Sequence, residues 1–405
     1  MIRRPRSILA VLTALNLFNY LDRFVLSAVL PRIEDELSLS HAVAGLLGTI
    51  FLVGYFLTSP VFGTFADRGR RKGLLAIGIA AWSVATMASG LARSFTELAA
   101  ARALVGVGEA SYATIAPTLI DDLAPPEKKG SWLAIFYAAM PIGAALGYVT
   151  GGIVEKSHGW RAAFFVAGGP GLVLALVCLW IAEPERPLHK LTEQRASWLS
   201  AARPLLRSPL YLKGILGYAA NSFAIGGFSY WAPAFLFRRY GLELAVANKG
   251  MGAITVLSGA VGTAIGGLWS DRATRGNEKD DHDGRARAFL QICALSAAAG
   301  APLAVAAILA PSAAWFFPLF LVAETAIFVS TSPVNAVILE AVPSGLRATA
   351  MAMSIFTIHA LGDLWSPPGV GVLLDHLSAS SAMLVLPAAI AISATAWWPT
   401  HSARR

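Results

Sequence analysis

Asp22, Arg23, Arg102 and Glu109 carry the chemistry of this chain, because each sits inside a long apolar stretch. An ionised side chain in hydrocarbon costs several kcal/mol and persists there mainly where it is used. Asn16, Asn19, Tyr20 and Arg23 fall at i, i+3, i+4 and i+7, which makes one polar stripe with Asp22 at its edge. Arg102 and Glu109 are seven apart and share a helix face. At the helical rise, Asp22 lies roughly 13 Å below the outer end of its run, and Arg102 and Glu109 roughly 8 and 18 Å from the same side. Two acids and two bases at one level can exchange partners, which suits a proton relay or a seat for an anionic headgroup. The alternative is a static pair of salt bridges. A second, weaker set follows in the later half: Glu324, with His359 and Asp363 four apart. His359 titrates near neutrality or stays neutral and donates to Asp363. Asn221, Phe228, Tyr230 and Trp231 read as cavity wall or as aromatic packing.

These residues need membrane helices to hold them. The chain is 56% hydrophobic and 14% charged, against about 25% charged in a soluble domain, and its mean hydropathy is +0.61. Twelve runs reach the length of a span, near 7–31, 41–65, 73–93, 97–120, 130–154, 161–182, 211–237, 247–269, 287–310, 313–339, 346–373 and 380–399. Lipid leaves no partner for free backbone groups and nothing here alternates like a barrel strand, so the spans are expected as helices. A charged turn is written twice: Gly63-Thr-Phe-Ala-Asp67-Arg68 returns as Gly267-Leu-Trp-Ser-Asp271-Arg272 after 204 residues of the 405. Repeated halves of apolar spans are a mark of secondary transporters. The expected domains are a six-helix bundle over 1–182, a cytoplasmic linker over 183–210 and a second bundle over 211–405.

The net charge of +8 could suggest nucleic acid, but its placement speaks for topology. Of 32 basic residues, Arg32, Arg93, Lys156, Arg161, Arg238, Arg239 and Lys249 fall on one side, and Arg23 and Arg102 lie within spans. The other 23 fall on the opposite side, which the positive-inside rule makes cytoplasmic, with both termini inside. The basic start followed by an apolar run is a first span and not a secretory signal, because the run is too long and carries Asp22 and Arg23. Cys178 and Cys293 read as buried free thiols, with no metal spacing and no cofactor implied. In the linker, Leu188, Leu191, Trp198, Leu199, Ala202 and Leu205 approach helical spacing, which fits an amphipathic surface helix or a plain tether. Rows of glycine, Arg102-x-x-x-Gly106-x-Gly108 and Gly143, Gly147, Gly151, Gly152, allow helices to approach closely.

At these residues the chain resembles the major facilitator superfamily over its whole length. The two Gly-x-x-x-Asp-Arg loops are similar to that family's loop motif between spans 2–3 and 8–9. Arg102 with Gly106 and Gly108 is similar to its fourth-span motif, and the glycine row of span five to its interface motif. A narrower resemblance is to the spinster branch, carried by Asn19-Tyr-Leu-Asp22-Arg23-Phe, by Arg102 through Thr118, and by His359-Ala-Leu-Gly362-Asp363 with Ser366-Pro367. One departure is visible, in Asp67-Arg-Gly-Arg-Arg-Lys72, where the loop motif's second glycine is replaced.

The resemblance implies an all-α membrane protein of twelve transmembrane helices in two six-helix bundles, working by alternating access about a central site. It also implies proton coupling and a lysolipid- or sphingolipid-like substrate. Asp22 and Glu109 are then the expected proton acceptors. Asn19, Arg23, Arg102, Glu109, Asn221, Trp231, Glu324, His359 and Asp363 are the expected substrate contacts. Gly63, Asp67, Arg68, Gly267, Asp271 and Arg272 form a conformational latch, with Asp67 and Arg68 pairing across to the other half or to Asp121 and Asp122. A forked guanidinium suits phosphate, and the scarcity of Asn, Gln and Ser in the candidate lining suits an acyl chain better than a sugar. A proton-coupled drug or organic-anion carrier would use the same machine. An enzyme would need a nucleophile–base pair or metal cluster, which the sequence lacks. The expected setting is the inner membrane of a bacterium, as a monomer, with protons, membrane lipid and a small amphiphile as partners and no nucleic acid.

Overall fold

A computed structural model describes residues 2, 4–68, 71–125, 128–182, 203–275, 281–343 and 346–399, excluding the side chains of residues 67, 68 and 348. Most of the 183–210 linker, including five of the six residues of its amphipathic pattern, lies outside the described residues.

Long helices follow one another from the start: α1 Pro5–Leu37, α2 His41–Arg68, α3 Arg71–Ser89, α4 Phe95–Leu123, α5 Lys129–His158 and α6 Trp160–Leu179. Then come α7 Pro209–Tyr240, α8 Leu244–Ala273, α9 His282–Ile308, α10 Ala313–Val329 and α11 Thr331–Glu340. The chain ends with α12 Arg347–Ile358, a π-helical turn His359–Asp363, α13 Ser366–His376, α14 Ala379–Met383 and α15 Val385–Trp397. Taken as spans these number twelve, since α10–α11, α12–α13 and α14–α15 are each one interrupted crossing. Among the described residues, ten are long and apolar enough to cross a membrane. The other two fall short for evident reasons: the middle of α7 is diluted by Asn221 and by glycine, serine, tyrosine and tryptophan residues, and the eleventh span is broken at its π turn.

Local chemistry sets the ends. Pro5 opens α1, where its missing N–H is not needed. Ser94 caps α4 by accepting from the Glu97 amide at 3.3 Å. Gly159 and Gly241, with φ of 79° and 62°, turn the chain between α5 and α6 and between α7 and α8. The large apolar side chains left exposed, such as Leu57 at 72% and Ile77 at 70%, are what lipid would cover.

Contacts divide the chain into two compact units, Met1–Glu193 with Pro233–Ala253, and Gln194–Ala232 with Ile254–Arg405. This differs from the sequence reading in one segment. Residues 233–253 pack in the first unit because Asn248 donates to the Ala28 carbonyl at 2.9 Å, Lys156 pairs with Glu243 at 2.7 Å and Arg238 holds Glu34. Within the first unit, α1 packs on α5, α2 on α4, and α3 on both α4 and α6. Within the second, α9 packs on α10 and α15. Since α9 is the third span of its half, and α10 and α15 belong to its fourth and sixth, the duplicated motif reflects a duplicated packing plan.

Candidate functional site

The first unit brings Asp22, Arg23, Arg102 and Glu109 together in two crossed pairs. Asp22 Oδ1 accepts from Arg102 Nη1 at 3.5 Å, and its Oδ2 accepts from the Thr86 hydroxyl. Glu109 Oε2 accepts from Arg23 Nε at 2.6 Å. Asp22, Arg102 and Glu109 are buried, whereas the Arg23 side chain keeps 20% of its surface. Neighbours on one helix point about 100° apart, so Asp22 and Arg23 reach different partners.

Aromatic faces add cation–π contacts to both pairs. The Arg23 guanidinium lies 4.9 Å from the Tyr20 ring centre, 5.0 Å from Phe51 and 5.3 Å from Tyr55. Arg102 lies 5.0 Å from the same Phe51 ring. One ring thus serves both cations, each gaining about 0.5–2 kcal/mol from a π face. Glycines permit this crowding. A Cβ at Gly106 would come 2.9 Å from the Tyr55 amide nitrogen, and one at Gly108 2.6 Å from the Trp82 amide nitrogen. On α5, Gly143 and Gly147 let α1 approach until a Cβ would meet those of Tyr20 and Phe24 at 2.9 and 2.8 Å.

Three buried polar atoms in this cluster have no hydrogen-bond partner among the described residues: Glu109 Oε1, Arg102 Nε and Asn19 Nδ2. An unpartnered buried polar atom is costly and calls for an explanation. Here an acid and a base of the cluster, and an amide one helical turn before Arg23, each retain spare bonding capacity, which suits a site that receives a proton or a polar group. Asn16 does not share in it. Its amide donates to the Phe136 carbonyl at 2.8 Å and ties α1 to α5.

The second unit holds the rest of the expected residues as separate pairs. Glu324 on α10 accepts from the Ser258 hydroxyl on α8 at 3.1 Å. Asn221 donates to Ser330 Oγ at 3.4 Å, and its carbonyl oxygen is buried without a partner among the described residues. His359 Nδ1 lies 2.9 and 2.8 Å from the two Asp363 carboxylate oxygens. That pair stands on the π turn, with Gly226 of α7 close against Asp363. Trp231 is buried, with its indole N–H on the Pro367 carbonyl at 2.9 Å, and Phe228 packs on Phe320.

Of the loop-motif residues, Gly63 has no described atom within 4 Å of where a Cβ would stand, and Gly267 faces Ser332 at ordinary contact distance. Asp271 and Arg272 are exposed, and the Asp67 and Arg68 side chains lie outside the described residues. The acids named as their partners are engaged otherwise. Asp122 accepts from Arg71 at 2.7 Å and Asp121 from Lys129 at 2.8 Å.

Sequence reasoning passed over Thr86, Phe51 and Tyr55. A threonine and two aromatics in apolar runs carry no signal of their own, and only the folded neighbourhood marks them.

The chain matches the family model described as Major Facilitator Superfamily over residues 12–367. It is 36% identical to protein spinster homolog 1 of Bos taurus over 91% of this chain and 73% of that one. It is 33% identical to the probable sphingolipid transporter spinster homolog 2 of Arabidopsis thaliana, over 92% and 82% of the two chains. Among solved structures, a bacterial homologue of the human lysosomal transporter spinster, inward-facing and unoccupied, superposes with a TM-score of 0.85 over 98% of this chain and 96% of that one, at 23% identity. That likeness speaks for the fold. A D-xylose–proton symporter shares it, with a TM-score of 0.76 at 18% identity, over 98% and 97% of the chains. With twelve spans, the doubled loop motif and these relatives in hand, the chain belongs to the spinster branch of the major facilitator superfamily and is a multi-pass membrane transporter, not an enzyme.

Proposed function

We propose that this protein is a proton-coupled carrier that moves a lysolipid- or sphingolipid-like amphiphile by alternating access. The observation that carries the reading is the crossed cluster of the first unit, whose Glu109 Oε1 and Arg102 Nε are buried and have no hydrogen-bond partner among the described residues. Asp22 and Glu109 accept protons. Arg23 and Arg102 are their partners and the anchors for an anionic headgroup, with Asn19 beside them.

Protonating Glu109 discharges its bond to Arg23, and the exposed part of that guanidinium becomes available to a phosphate. Proton and headgroup then compete through one cation, which couples their movements. The rings of Tyr20, Phe51 and Tyr55 offer an apolar wall for the start of an acyl chain. In the second unit, Asn221, Glu324, His359 and Asp363 supply further polar contacts to the substrate. The repeated loops, through Gly63, Asp67, Arg68, Gly267, Asp271 and Arg272, act as a latch between transport states. The setting is a bacterial plasma membrane with both termini cytoplasmic, and the working unit is a monomer.

Uptake into proteoliposomes with an imposed pH gradient tests the reading. An anionic lysophospholipid should be carried and should compete with its own headgroup analogues. Transport of organic anions that lack an acyl chain, without transport of the lysolipid, would favour the drug or organic-anion carrier instead.

A further inference from the structure

A second cluster of ionisable groups lies at the far end of α1, twelve residues and roughly 18 Å of helix from Asp22. Glu34 is buried there and its carboxylate is gripped from two directions. Arg238, near the end of α7, donates from Nη2 to Oε2 at 2.5 Å. His41, the first residue of α2, places Nδ1 at 2.7 Å from Oε1. Arg238 Nη1 also approaches the same His41 Nδ1, at 3.1 Å. His41 and Arg238 each keep 28% of their side-chain surface, so solvent protons reach the imidazole.

One nitrogen cannot serve both neighbours. With a lone pair on Nδ1, His41 accepts from Arg238; with a hydrogen there, it donates to Glu34 and turns that hydrogen toward a guanidinium. Charging the ring removes the choice, since both nitrogens of an imidazolium carry hydrogen.

We propose that Glu34, His41 and Arg238 form a protonation-controlled clasp, in which charging His41 loosens Arg238 from Glu34. Neutral His41, with its proton on Nε2, seats Arg238 on both the carboxylate and the ring. Charged His41 claims half of the carboxylate and sets a positive charge beside the guanidinium. With water's dielectric, a like-charge contact at this separation shifts the held-to-released ratio about tenfold. Two nearby charge pairs stand apart from the clasp, Arg32 with Glu155 and Lys156 with Glu243, both at 2.7 Å. From α1 the group facing the ring is Glu34 and from α7 it is Arg238; α2 carries no further charged residue before Asp67.

The clasp matters because the segment it holds, Pro233–Ala253, packs within the first unit although the rest of α7 and α8 belongs to the second. Its other ties among the described residues include Asn248 to the Ala28 carbonyl, Lys156 with Glu243 and Arg32 over the Phe237 ring at 5.3 Å, and none of these three involves a histidine. Acid on this face therefore acts on the segment through His41. The device regulates the carrier from outside the Asp22–Glu109 cluster.

The test uses the full chain in nanodiscs, spin-labelled at Leu39→Cys and Leu242→Cys, with the buried Cys178 and Cys293 left in place. Between about pH 8 and about pH 5.5, the range in which imidazole changes charge, the ratio of long to short distances should rise about tenfold. His41→Gln should hold the pH 8 distribution at both values, and His41→Lys the pH 5.5 distribution at both. A merely structural histidine would not move the two variants in opposite directions. Repeating the titration in an Asp22→Asn, Glu109→Gln background separates the clasp from the proposed coupling site, since the response should survive there. A full pH response in His41→Gln, a pH 8 distribution in His41→Lys, or loss of the response in that background would each overturn the clasp.

Discussion

Replacing Glu109 by glutamine removes one negative charge and leaves shape and hydrogen-bonding reach almost unchanged. In the native protein, Arg23 Nε donates to Glu109 Oε2 at 2.6 Å while part of the guanidinium remains exposed. Arg23 stays charged in the variant, so the hydrogen bond persists and what is lost is the negative charge opposite the guanidinium, worth about one pKa unit of differential interaction. The substitution therefore weakens the internal claim on Arg23 by about 1.4 kcal/mol, a factor of about ten. Three aromatic faces remain around the cation, so Arg23 should keep its place. If an anionic headgroup competes with Glu109 for Arg23, Glu109→Gln should bind a lysophospholipid about tenfold more tightly at alkaline pH. Acid should tighten wild-type binding, because protonating Glu109 has the same effect as the substitution, whereas Glu109→Gln should be nearly flat across pH. Titration calorimetry in nanodiscs with lysophosphatidylglycerol measures both quantities. Equal affinities for wild type and Glu109→Gln at alkaline pH, with parallel pH dependence, would refute competition and leave Glu109 a structural charge.

Asp22→Asn should uncouple transport from the proton gradient and still give a folded carrier, because asparagine's one carbonyl oxygen keeps the bond from Thr86, while its amide gives up the charge and the acceptor that faced Arg102. PH-dependent uptake in proteoliposomes at the wild-type level would remove Asp22 from the coupling. Gly147→Val should lower the thermal stability of the purified protein by about 1–3 kcal/mol, the usual cost of overpacking, because its Cβ would meet that of Phe24 at 2.8 Å. Gly63→Val should leave the melting temperature unchanged, since no described residue lies near a Cβ at that position.

Much of the architecture is legible in the sequence for one physical reason. Lipid offers no hydrogen-bond partners, so a run of about twenty apolar residues has a single conformation open to it. Span count, the doubled halves and the four intramembrane charges follow from composition and spacing alone, because a charge among apolar residues is conspicuous wherever it lands. The sequence could not decide which charge meets which. Asp22 and Arg102 are 80 residues apart, Arg23 and Glu109 86, and helical periodicity relates only residues on one helix. Tertiary packing made that choice through glycines that let α2, α3 and α5 close in on α1 and α4. It also split the polar stripe, giving Asn16 to a backbone carbonyl and leaving an Asn19 amide nitrogen unpartnered among the described residues. Thr86 and Phe51 became parts of the site through position alone, and Glu34, His41 and Arg238 met only because the end of α7 packs within the first unit. A sequence declares which groups are costly to bury; only the fold selects the partners that offset the cost.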